Sequence, residues 1–200
     1  MLLDAVVAAL TAKAEFIPML TDCLLDFEKE RLLVGAASAK NLLQVQELFK
    51  NTFGVEPVPL SPEPGIVNTL VEICRNAIKK IGVFSVCPHG SATLVRMDEN
   101  GEKSLVTVQN NLSAVLSALD EGMILQKVRL LITNLKKDEE CIHDFTLDTN
   151  FTVSGLKLPK ALSSDEEDAD LFLKMDACAE VADFVSELSS MKAVSDVPHL

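Results

Sequence analysis

The chain has 200 residues, 48% of them hydrophobic, which is enough for one domain, or one domain with a helical extension, to bury a core that offsets its ordering entropy. Its 30 acidic residues outnumber 18 basic ones, and with a formal charge of -12 and no Lys/Arg cluster it is disfavoured electrostatically as a ligand of nucleic acid or anionic membrane. Nine Phe without any Trp or Tyr predict an aliphatic core and leave little for stacking sugars or bases.

No apolar run approaches the ~20 residues that span a bilayer, so no membrane insertion is expected. At the start, Thr11-Ala12-Lys13-Ala14 has the small-x-small look of a signal-peptide ending, but Asp4 and the lack of an early basic residue argue against secretion. The five cysteines, Cys23, Cys74, Cys87, Cys141 and Cys178, are odd in number and scattered through apolar segments. They read as buried thiols of a reducing compartment, cytoplasmic or nuclear.

Residues 1–54 read as a helical N-terminal layer. Leu2, Leu3, Val6, Val7 and Leu10 share one helical face, a second stretch runs from Met19-Leu20 to Leu32-Leu33 after Pro18, and a third helix runs from Ala37 to Phe49. In that third helix Leu42, Leu43, Val45, Leu48 and Phe49 are expected inward, with Gly54 as its stop. Residues 55–65 form a connector in which Pro57, Pro59, Pro62 and Pro64 forbid helix.

The remaining stretch, 66–200, reads as an α+β domain. Ile66, Val67, Leu70, Val71, Cys74, Ala77, Ile78 and Ile81 predict a helix over 66–81 with a broad buried stripe. After a loop at Cys87-Pro88-His89-Gly90, the runs Ala92 to Met97 and Lys103 to Val108 flank Asp98-Glu99-Asn100-Gly101, where Asn-Gly supplies the positive φ of a hairpin turn. Asn110 is expected to cap a helix with Leu112, Val115, Leu116 and Leu119 inward and Gly122 at its end. Lys127 to Thr133 is the strongest strand signal, and Cys141 to Asp148 should pair with it antiparallel across the charged turn Lys136 to Glu140. Ser164 and Glu167 form a capping box for a last helix whose predicted core stripe is Leu171, Met175, Cys178, Val181, Ala182, Val185 and Leu188. The predicted architecture is three main helices packed on an antiparallel sheet, with the helical N-terminal layer before it.

Cys87, His89 and Ser91 place a thiol, an imidazole and a hydroxyl within five residues, the cast of a small hydrolase, yet adjacency in sequence supplies neither the orienting acid nor the oxyanion donors. A turn between helix and strand accounts for the same residues. Cys141 and His143 point to one face of a strand and would give two metal ligands where a closed zinc site needs four. With no phosphate-binding glycine pattern, no zinc-protease motif and no nucleophile elbow, no cofactor is expected. Ser163 and Ser164, beside Asp165-Glu166-Glu167-Asp168, look like targets of an acid-directed kinase, with phosphate tolerated at a helix N-terminus.

The order of elements from Ile66 onward, and above all Leu125-Gln126-Lys127-Val128-Arg129-Leu130-Leu131-Ile132-Thr133-Asn134 followed by Asp144-Phe145-Thr146-Leu147-Asp148, resembles the HORMA domain family of checkpoint and meiotic-axis adaptors over residues 66–190. The chain departs from the family in having Val83-Phe84-Ser85-Val86-Cys87-Pro88, with the spacing stretched and no Tyr, where an aromatic-Pro pair is usual, and only Lys192 to Leu200 after the last helix where the family has a closing belt. The resemblance implies a non-enzymatic protein-interaction adaptor, in cell-cycle or related signalling, whose partner is a HORMA-like domain or a peptide segment. It also implies that the last helix makes the contact: Lys174, Asp176, Glu180 and Glu187 lie off the predicted stripe as a rim, and Phe172 and Phe184 at its edges are the anchors. The competing reading is a carrier that encloses an apolar ligand or lipid among the aliphatic N-terminal helices.

Overall fold

The computed structural model describes residues 20–36, 38–62, 65–76, 78–97, 100–137, 142–158 and 168–191. The chain divides into two compact units, residues 1–57 and residues 58–200. The expected α+β class holds, with four helices among the described residues where three main ones were expected.

In the first unit a hairpin of β1 (Cys23–Asp26) and β2 (Arg31–Val34) precedes α1 (Ala39–Phe53). The helix expected across 20–33 is therefore corrected to a hairpin, and the reason is the turn. The Asp26 carboxylate accepts the Lys29 backbone N–H at 3.2 Å and Arg31 Nε at 2.9 Å, and Glu30 turns left-handed at φ 49°. Leu24 then faces Leu33, and Leu25 faces Leu32, across the pair. Helix α1 begins where Ser38 Oγ accepts the Asn41 N–H at 3.3 Å and ends at Gly54, whose φ of 71° and N–H to the Lys50 carbonyl form a left-handed cap. None of its residues is buried, and Leu43 and Leu48, expected inward, are exposed. The predicted helix over residues 2–10 lies outside the described residues.

The second unit begins with α2 (Ile66–Asn76), which buries Ile66, Thr69, Leu70, Ile73 and Cys74. It is shorter than predicted, because Lys79–Ile81 forms β3 and pairs with the start of β4 (Phe84–Met97) across a turn at Gly82, φ 55°. Then come β5 (Lys103–Gln109), α3 (Leu112–Asp120), β6 (Ile124–Asn134), β7 (Ile142–Asp148), β8 (Val153–Ser154) and α4 (Ala169–Ser190). The strands form one antiparallel sheet in the order β3-β4-β6-β7-β8, with β5 paired to β4 along Ser91–Met97. The predicted pairing of residues 127–133 with 142–148 is present, Leu130 opposite Phe145.

Side chains of α2, α3 and α4 share one core with β4, β6 and β7. At its centre Phe184 meets Phe84 and Phe145 edge-on, with ring centroids 5.7 and 6.0 Å away, a geometry that suits the ring quadrupoles. On α4 the buried residues are Ala177, Glu180, Val181, Phe184, Val185 and Leu188, while Leu171 is exposed. Of the predicted stripe Val181, Val185 and Leu188 are buried, and Leu171 at its start is corrected to an exposed residue. The helix carries two rival apolar seams, and the one spaced 177-181-184-188 goes inward because it buries the large Phe184 ring.

Candidate functional site

The Cys87 to Ser91 segment, expected as a loop, lies inside β4 as a bulge. Pro88 is opposite Leu130 and Ala92 opposite Val128, so His89, Gly90 and Ser91 together face only Arg129. Gly90 takes φ 78°, which a side chain would resist, and its carbonyl accepts the N–H of Asn110, itself left-handed at φ 51°. Asn110 is therefore occupied in the bulge, and the cap of α3 is Asn111, one residue later than predicted, with Oδ1 accepting the Ala114 N–H at 3.0 Å. Between bulge and cap is a cleft of about 290 Å³ lined by Cys74, His89, Ser91, Asn110, Asn111 and Val115, among others.

This geometry does not assemble a nucleophile. Among the described residues no hydrogen bond joins His89 to Ser91 or to Cys87. Burial pushes the Cys87 thiol up, and pushes Cys74 up to about 11, whereas the reactive species is the thiolate. Single Ala replacements of Cys87, His89 and Ser91 are expected to leave partner affinity within about threefold of the parent, measured by titration. A hundredfold loss without unfolding, about 2.7 kcal/mol, would identify the bulge as the working site.

Two ionic clusters tie the sheet together. Arg129 grips Asp144 with two bonds, Nε at 2.6 Å and the second guanidinium nitrogen at 2.8 Å, and Lys157 Nζ adds a third contact at 2.6 Å. The Arg129 hydrogen bonds, outweighing burial and helped by Lys157, lower the Asp144 pKa to about 2. In the other cluster, His143 Nε2 is 2.8 Å from Glu180 Oε2, both side chains are buried, and Lys137 binds the other Glu180 oxygen.

Glu180, expected on the exposed rim, is thus corrected to a buried residue that joins α4 to β7 and the turn after β6. A carboxylate is admitted there because both of its oxygens are paired. His143 is its partner; Cys141 lies outside the described residues, among which no group of three or more His, Cys, Asp or Glu is placed to hold a metal.

Of the other residues predicted on α4, Phe184 is in the core, correcting its place as an anchor, and Phe172 is 61% exposed. Lys174 binds Asp170 at 2.5 Å along the helix; Asp176 and Glu187 are exposed, and Glu187 lies over the β3–β4 turn, where a Cβ on Gly82 would meet its carboxylate at 2.7 Å. Ser163 and Ser164 lie outside the described residues. The sequence reading overlooked the neighbours of Phe172: Leu171 and Leu173 are 54% and 40% exposed, so the first turn of α4 presents three consecutive apolar side chains. The signal was the second apolar seam, which leaves Leu171 outward once 177-181-184-188 goes inward.

No protein-family model matches the chain, and no curated protein matches it in sequence. The resemblance to HORMA domains stays an expectation from the sequence. Among the described residues no helix is long and apolar enough to cross a membrane.

Proposed function

We propose that the chain is a non-enzymatic protein-interaction adaptor that meets its partner with the outer face of α4, anchored by Phe172. The observation that carries this is the exposure of Leu171, Phe172 and Leu173 at the head of a helix whose later turns, from Ala177 on, bury their large apolar side chains. Contiguous exposed apolar side chains mark contact surfaces, and a ring among them suits the centre of a contact. The HORMA family, which residues 66–190 resemble, commonly uses its corresponding helix for contact with a second domain, and this supports the choice of surface.

A photo-crosslinking phenylalanine analogue at position 172, with position 47 as control, should covalently trap the partner in cells. Titration of that partner with a chain carrying Phe172→Ala and Lys174→Glu is expected to show binding weaker by about 2 kcal/mol, roughly thirtyfold, with an unchanged denaturation midpoint. Equal affinity of variant and parent removes α4 from the interface. A collapsed denaturation curve assigns Phe172 to the core.

A further inference from the structure

We propose that the chain pairs with a second copy of itself along the free edge of β5, the two strands running antiparallel about a two-fold axis at Leu105. Residues Ala92 to Val95 of β4 pair with β6 on one side and with β5 on the other, so β5 ends the sheet there, and among the described residues no strand pairs with its outer edge. Along that edge its seven residues carry backbone N–H and C=O groups at the spacing of a ladder, and the ligand that matches this spacing is another strand. The side chains agree. Leu94 and Leu125 are buried, so their neighbours Val95 and Ile124 point away from the core. Val95 is opposite Ile124 on one side and Leu105 on the other, and Leu105 is 66% exposed. An apolar row of Ile124, Val95 and Leu105 thus crosses three strands and stops at an open edge.

Charge selects a second copy as the occupant. Open edges are normally guarded by charges, proline or a bulge. β5 has no proline, pairs with β4 from Ser91 to Met97 without a register shift, and bears one charge, Lys103, at its first position. In a chain of 30 acidic residues none falls between Lys103 and Leu119, and two copies that each carry a formal -12 meet with least repulsion where acids are absent. The edge is also complementary to itself. Pairing about Leu105 sets Leu105 against its counterpart, Ser104 against Val106 and Lys103 against the uncharged Thr107, with the two Lys103 about 14 Å apart. The apolar row then continues from one sheet into the other. This contact does not use α4, so it stands or falls separately from the adaptor reading.

The test is sedimentation equilibrium of the full chain over a range of concentrations, in which the parent is expected to pass from the mass of one chain to that of two. Leu105→Lys opposes two like charges at the axis and should weaken the dimer at least about tenfold, with the parent's denaturation midpoint because Leu105 faces water. Leu48→Lys, 67% exposed in the first unit, makes the same chemical change and should shift the dimer constant less than about twofold. Under mild oxidation Leu105→Cys should join two chains through position 105, since directly opposed residues lie about 4.5 to 5.5 Å apart, within disulfide reach, whereas Lys103→Cys should not join through position 103. Peptide mass spectrometry locates the bond, and this arm decides even if Leu105→Lys melts early. A single-chain mass at every concentration, equal weakening by the two Lys variants, or a bond through position 103 in place of 105 overturns the inference. So does a single-chain mass whose β5 amides gain hydrogen-exchange protection only when the partner trapped at position 172 is added, which would assign the edge to a foreign strand.

Discussion

Leu130→Asp is expected to abolish the native state. Leu130 is fully buried at the middle of β6, paired with Pro88 on one side and Phe145 on the other, so a carboxylate there has neither water nor a cation. Burying it unpaired costs at least several kcal/mol, against a total stability of about 5 to 15 kcal/mol for a domain of this kind. Leu130→Ala, which only opens a cavity, should cost about 2 to 5 kcal/mol and keep the fold. Circular dichroism and urea denaturation of the two variants provide the comparison. A soluble Leu130→Asp chain with the parent's melting temperature would show that β6 is not the central strand.

Glu180→Ala is expected to destabilise the second unit by about 3 kcal/mol. The substitution removes the acceptor of the buried His143 and the partner of Lys137, and a buried donor left unpaired loses its full solvation. Glu180→Leu, which fills the space, should lose less than the Ala variant, because packing recovers part of the difference. The pH dependence has a definite sign. Burial pushes the Glu180 pKa up, but hydrogen bonds from Lys137 and His143 outweigh it and hold the carboxyl below its usual value of 4.5. A lowered folded-state pKa means that the contribution is present above about pH 4.5 and is lost as the pH falls through the folded value. Urea midpoints measured from pH 7 to pH 3 should therefore converge for parent and Glu180→Leu at the acid end. Equal midpoints of parent and Glu180→Ala at pH 7 would show that the cluster contributes nothing.

Local chemistry alone made several elements legible. Gly54 stops α1 because a left-handed residue is needed there whatever lies beyond, and Gly101, φ 79°, lies between β4 and β5 on the same principle. Val128, Leu130 and Ile132 alternate strictly, and that period has one reading, a strand with one buried face. These signals depend on the residue and its immediate neighbours, so no tertiary context was needed to read them.

Elsewhere local preference was degenerate. Residues 23–34 are rich in Leu, which suits helix and strand alike, and the Asp26 turn with cross-strand Leu pairs decided for a hairpin. The bulge at His89 to Ser91 exists because β4 pairs with β6 on both sides of it, a constraint carried by residues forty positions away in sequence. The same holds for the candidate surface. By itself the sequence determined that α4 would form, that it would be amphipathic and that its polar side would be acidic. Which of two apolar seams went inward was decided only when Phe184 met Phe84 and Phe145 in the core. That choice buried Glu180 against His143 and left Leu171, Phe172 and Leu173 outside, because a helix can bury only one face against a sheet and the face that removes the larger rings from water prevails.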